Sequence, residues 1–168
     1  MEHKIPSTPK STEAEQAFLG SLIMDSSAWD QISHIIKTND FYDTNNKLIF
    51  NEIHDLAAAG QMIDVVVLED CLKSKGILDK VGGLSYLAEL ARKVPTSAHI
   101  KAYADIIKEK SVMRELINIS NRTVQAVHQS EQGDVKQVLD KAESDIFGIS
   151  SQSSINDGLQ KIGPVVNT

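Results

Sequence analysis

The stretch Ile63 to Leu90, reading IDVVVLEDCLKSKGILDKVGGLSYLAEL, decides the fold. Asp64 has a side chain suited to capping a helix, and Val67, Leu68, Cys71 and Leu72 follow at helical spacing. Gly76 supplies a stop, and the pair Gly82-Gly83 supplies a connector whose backbone must adopt dihedrals that side chains disfavour. Leu84, Leu87, Ala88 and Ala91 then line one face of a helix over about 84–94. The run Val65-Val66-Val67 is β-branched but too short and isolated to build a sheet, so it reads as a helix start. Two amphipathic helices joined through glycine predict an all-α fold.

The flanking sequence extends the pattern in both directions. Residues 1–10 hold Pro6 and Pro9 among polar residues and read as a flexible arm. Thr12 and Glu15 have the spacing of a capping box, opening a first helix with Ala14, Ala17, Phe18, Leu22 and Met24 on its apolar face. Ser27 to Asp30 repeats the box before a short helix carrying Trp29, Ile32, Ile35 and Ile36. Asp40-Phe41-Tyr42-Asp43 breaks the period, and its two aromatics are expected to anchor a loop. A third helix over about 44–59 turns Leu48, Ile49, Ile53, Leu56 and Ala57 inward and ends at Gly60. Residues 11–95 are therefore expected to form a helical head of five to six helices.

Pro95-Thr96-Ser97 is the next break. From there to about Ser130 no Gly or Pro interrupts a helical pattern with two adjacent apolar rows. One row is Val112, Leu116, Ile119 and Thr123; the other is Met113, Ile117, Val124 and Val127. Gln132-Gly133 makes a turn, and Asp134 with Gln137 opens a returning helix with Val135, Val138, Leu139, Ala142 and Ile146, expected to stop near Gly148. A long helix, a tight turn and a returning helix make an αα-hairpin over about 96–149. Two helices alone cannot bury so wide a face, so the hairpin either lies on the head or pairs with another copy. Pairing is favoured, because the head has enough apolar residues to close on itself. Residues 150–155 are Ser-rich and read as a linker; Leu159, Ile162, Val165 and Val166 then suggest the start of a docking helix.

Composition narrows the function. In 168 residues the net charge is -6, which opposes phosphate binding and argues against strong direct binding to nucleic acid. Aromatics are 5%, so the core is expected mainly from Leu, Ile, Val and Ala. The lone Cys71 lies between Leu68 and Leu72 and reads as a buried small hydrophobe in a reducing, cytoplasmic setting. There is no signal peptide and no apolar run long enough for a membrane span.

The search for catalytic chemistry is negative. His3, His34, His54, His99 and His128 are scattered, and none has a metal-ligand partner at i+4. Glu13 and Glu15 fall in a first helical turn, where carboxylates favour the dipole. Asp64 and Asp70 read as a cap and a solvated position. Val81-Gly82-Gly83 lacks the lysine and hydroxyl of a phosphate loop. Lys101, Lys108, Lys110 and Arg114 interleave with Asp105, Glu109 and Glu115, as on a salt-bridged helix face. The residues indicate an interaction domain without catalytic site, cofactor or metal.

Residues 63–90 also resemble the N-terminal domain of bacterial replicative DNA helicases of the DnaB family. STEAEQAFLGSLI from Ser11, DFYDTNNKLIF from Asp40 and PTSAHIKAYADIIKEKSVMRELI from Pro95 are similar strings in the same order. The resemblance implies a helical head with a hairpin, hairpins that pair between subunits, and six such domains in a collar that binds primase. It implies ATP, Mg and a RecA-like motor only in a C-terminal domain absent from this chain, which ends at Thr168 before a P-loop, catalytic Glu or arginine finger could occur. A helicase loader is a further implied partner.

The candidate self-association and primase-binding residues are Val112, Leu116, Ile119, Thr123, Val127, Val135, Val138, Leu139, Ala142 and Ile146. Some must pack within the hairpin, and the alternative that all ten are internal core stays open. The competing reading is a helical dimerisation or adaptor domain of a regulator, with no motor attached.

Overall fold

A computed structural model describes the backbone of residues 6–162 and the side chains of residues 6–152. The described residues are helical, with no strand. Seven α-helices follow in order: α1 (Thr12–Met24), α2 (Trp29–Ile32), α3 (Thr44–Ala58), α4 (Val65–Ser74), α5 (Gly83–Arg92), α6 (Ile100–Gln129) and α7 (Val135–Ile162). Short 3-10 turns at Ser26–Ala28 and Thr38–Asp40 complete the set. The chain divides between Ser111 and Val112 into two compact units.

The first unit is the head. Its centre is aromatic, although aromatics are scarce: Phe18, Phe41 and Phe50 are fully buried. Phe41 stacks on Phe50 at 4.8 Å between ring centres, and Phe18 meets both at 5.9 Å. Leu and Ile from α1, α3, α4 and α5 fill in around them. Three large rings from distant positions tie the helices together because each removes a large apolar area from water.

The helix ends follow local chemistry, with changes of residue at the first two. The expected Ser27 to Asp30 box gives way to Asp25, whose carboxylate accepts from Ser27 N at 3.0 Å, and α2 has no side-chain cap. Ser11, not Thr12, caps α1, its hydroxyl accepting from Ala14 N at 3.2 Å. Glu15 does not close a box on that cap. It is buried and turned toward α3, where its carboxylate accepts from Tyr42 N at 2.5 Å, Asp43 N at 3.3 Å and Asn46 Nδ2 at 3.0 Å. An acidic group near that N-terminus meets unpaired N–H donors and the positive end of the helix dipole. Asp43 and Asp64 cap α3 and α4 through Asn46 N (3.0 Å) and Val67 N (2.8 Å).

The loop before α3 splits its two aromatics. Phe41 is buried, whereas Tyr42 is exposed with Lys10 Nζ 4.8 Å above its ring, so the end of the expected arm is held on the head. Adjacent side chains on extended backbone point to opposite sides, which is why only one of the pair reaches the core. Met24 and Leu84 are also exposed, and Leu90 with Leu87 forms the buried face of α5. α1 and α5 cross at Gly20, where a Cβ would overlap the carbonyl of Leu90. Gly82 and Gly83 both have positive φ, +110° and +72°, and make the backbone turn into α5.

The head does not end at Val94. Ile100, Ala104 and Ile107 on the opening turns of α6 are buried in its core. Asp40 is buried as well, accepting from Lys37 N at 2.8 Å and Ser111 Oγ at 2.8 Å and pairing with Lys108 Nζ at 3.3 Å. The boundary expected at 95/96 is thus displaced to 111/112, because the break at Pro95 interrupts the backbone but not the apolar core. Lys108 pairs with this distant aspartate rather than with the acidic residues interleaved along its own helix.

Candidate interaction surface

The second unit, from Val112, contains the later part of α6, a turn and α7. Gly133 occupies the left-handed region at φ +112°, and the Asp134 carboxylate accepts from Glu131 N at 3.2 Å. That hydrogen bond closes the turn on itself. The helices are antiparallel neighbours: Arg122 on α6 lies 4.0 Å from Asp145 on α7. Lys141 also holds Asp145, at 2.6 Å, and its hydrogen bond and charge keep that carboxyl below the ordinary carboxylate range, with Arg122 adding to the effect.

α7 passes through Gly148 and the serines to Ile162, so the expected stop and the non-helical linker at 150–155 are not observed. Serine is only modestly unfavourable in a helix, and Ser151 returns its hydroxyl to the Gly148 carbonyl at 3.1 Å. The docking face expected from Leu159, Ile162, Val165 and Val166 lies outside the residues whose side chains are described.

The structure sorts the two apolar rows. Ile119 is buried, at 3% exposure, and among the described residues is the one buried residue of the unit. Val112, Thr123 and Ala126 on α6 are half-buried, as are Val138, Ala142 and Asp145 on α7. These positions form the seam inside the hairpin. Beside Ile119, Val112, Val138 and the half-buried Ile149 it holds small or polar side chains.

Larger apolar groups face outward. Of the ten candidates, Leu116, Val127, Val135, Leu139 and Ile146 are exposed, whereas Val112, Ile119, Thr123, Val138 and Ala142 are turned into the seam. Met113, Ile117, Val124 and Phe147 are exposed too, and were not among the ten. Phe147 is 72% exposed. Positions 113, 117, 120, 124 and 127 repeat at intervals of four and three, the spacing of a coiled-coil seam, one residue out of step with the inner row. The second row was visible in the periodicity. What was missing was a reason to choose it, because two rows offset by one residue have the same period.

The head offers little chemistry by comparison. An open cleft of about 290 Å³ beside Gly82 is lined by Asn45, Val81, Ser85, Tyr86 and Glu89. Its one charged lining residue is an acid, which opposes a phosphate. Burial raises the Tyr86 hydroxyl, which donates to Asn46 Oδ1 at 2.7 Å and accepts from Gln16 at 3.3 Å. Burial and the Glu52 carboxylate likewise raise the Cys71 thiol, disfavouring the nucleophilic thiolate. His54 meets the Trp29 ring edge-on at 5.7 Å, a packing role. Among the described residues no group of His, Cys, Asp and Glu could hold a metal ion, and no helix is long and apolar enough to cross a membrane.

Fold and surface together define an all-helical head carrying a helical hairpin with an uncovered apolar face. Residues 7–109 match the family described as DnaB-like helicase N terminal domain, and the chain belongs to that family. It is 39% identical over 155 residues to the replicative DNA helicase DnaB of Haemophilus influenzae, covering 92% of this chain and 33% of that protein. Against the replicative DNA helicase DnaC of Bacillus subtilis it is 34% identical, over 87% of this chain and 32% of that protein. The chain therefore spans about a third of the length of these relatives. The crystal structure of the N-terminal domain of DnaB helicase from Mycobacterium tuberculosis superposes with a TM-score of 0.78 and 31% identity, over 84% of this chain and 99% of that one. A DnaB-like replicative helicase, solved with attention to its interactions with primase, aligns over 90% of this chain and 34% of its own, with a TM-score of 0.69. At 22% identity that likeness speaks for the fold alone.

Proposed function

We propose that this chain is the assembly domain of a replicative DNA helicase, joining copies through its hairpin and presenting the collar they form to primase. The observation that carries the reading is the outward row Met113, Ile117, Val124 and Val127, exposed at coiled-coil spacing beside an inner seam already in use. A soluble monomer seldom leaves so long an apolar stripe uncovered. Two-fold pairing covers it, and pairs assemble into the hexamer that a ring helicase requires.

Primase is the proposed heterologous partner, in line with the DnaB-like helicase described with its primase interactions. A loader is a second partner. The residues of this chain bind and position; they do not catalyse. ATP hydrolysis, with its Mg, and translocation on DNA are assigned to a RecA-like domain of the longer protein. The net charge of -6 fits a collar that does not itself grip DNA tightly, and the working compartment is the cytoplasm.

Light scattering on the purified chain at tens of micromolar tests the self-association, with a dimer or larger species expected. A strictly monomeric chain would remove the pairing. Titration with the primase C-terminal domain tests the second contact, and no binding by either monomer or assembly would remove primase.

A further inference from the structure

We infer that the hairpin folds only on association: the head is stable by itself, whereas the segment from Val112 becomes helical when a second copy covers its outer row. The inference rests on the self-association reading and adds the energetic order of events. The continuous core of the chain stops at Ile107, and beyond Ser111 Ile119 alone is buried among the described residues. Around Ile119 the apolar residues available for packing are half-buried at most, namely Val112, Ala126, Val138, Ala142 and Ile149, with Thr123 and Asp145 among them.

An isolated helix of this size is marginal in water, and most helical stability in proteins comes from tertiary burial. Ordering each residue costs about 1–2 kcal/mol of backbone entropy. A seam so thinly buried cannot offset that over two long helices.

The occupant is a second copy because the outer row is self-complementary. Its four-three spacing presents to an identical row the alternation that lets side chains interdigitate. Met113, Ile117, Val124 and Val127 are each 43–55% exposed, and burying such side chains contributes about 1.5–3 kcal/mol apiece when fully covered.

Two signals separate the units. Trp29, the single tryptophan, packs on Phe50 at 5.8 Å and reports on the head. Far-UV circular dichroism carries a large contribution from the hairpin, which holds all 28 residues of α7 and the turns of α6 beyond Ser111. The whole chain is diluted from about 100 µM to below 1 µM, with both signals and the mass in solution followed. Helical signal should fall together with the dimer, while Trp29 emission stays native. A second arm uses Ile117→Asp with Val124→Asp, both on exposed positions outside the head. That variant should be monomeric, with native Trp29 emission and reduced helix at every concentration.

A monomeric variant of full helicity overturns the coupling while leaving self-association in place. Loss of both signals together overturns it as well, since head and hairpin would then be one cooperative unit. A wild-type chain that is monomeric and fully helical throughout overturns the coupling and the self-association together.

Discussion

Glu15 shows how one side chain can serve a helix other than its own. Its carboxylate receives two backbone N–H groups and the Asn46 amide at the start of α3, in a buried site. Each buried donor left unsatisfied costs about 1–3 kcal/mol, so Glu15→Ala should lower stability by several kcal/mol in urea unfolding. A Glu15→Ala chain as stable as wild type would mean that water replaces the carboxylate. Gly20→Ala places a methyl against the Leu90 carbonyl and should cost about 1–3 kcal/mol through displacement of α5.

Asp25 carries a pH dependence. Hydrogen bonds from Ser27 and Ser97 hold its carboxyl below the ordinary carboxylate range, and the Ser97 bond, at 2.9 Å, links the end of α1 to the loop before α6. A depressed carboxylate contributes stability that is complete above its unfolded pKa and is lost as pH falls through the folded value. Acidification below the ordinary carboxylate range should therefore weaken this link, and Asp25→Asn should flatten that part of the stability profile. Equal acid limbs for the two proteins would show that the link contributes nothing measurable. Glu15 was legible as a first-turn acid; its partners were not, because residues 27 to 31 positions away meet it only in three dimensions.

At the scale of the element, α6 changes role along its length. Its opening turns belong to the head through Ile100, Ala104 and Ile107, and its later turns belong to the hairpin. The apolar period runs on without a break across that change. The two rows on the later turns should respond differently to the same substitution. Ile119→Asp puts a charge into the hairpin seam and should reduce helicity and stability of the associated chain. Leu116→Asp or Ile117→Asp, on exposed positions, should leave the head's unfolding midpoint unchanged and weaken the dimer at least tenfold in sedimentation equilibrium. Weakening by Ile119→Asp alone, with the outer variants unaffected, would place the partner on the inner row. The period predicted both rows, but only burial distinguished them.

For the whole molecule, the two units differ in how they hold together. The head has a continuous core around three phenylalanines, while the hairpin has a thin seam and a larger apolar surface outside. A chain whose second unit leaves its larger apolar groups uncovered is suited to assembly, and that division of labour underlies the proposed collar. Deleting residues beyond Ser111 should accordingly leave a folded, monomeric head with native Trp29 emission. Loss of that emission would show that the head depends on the hairpin.

Local chemistry in the sequence determined the helix order, the cap at Asp64 and the turn at Gly133, because dihedral limits and helical spacing act over a few residues; the family was legible as a resemblance of several strings in one order. Only the tertiary structure decided that Glu15 serves α3, that Asp40 carries the head's boundary past Pro95, and which apolar row of the hairpin faces outward. Those outcomes depend on which distant groups meet, and two rows offset by a single residue are equivalent until one of them is buried.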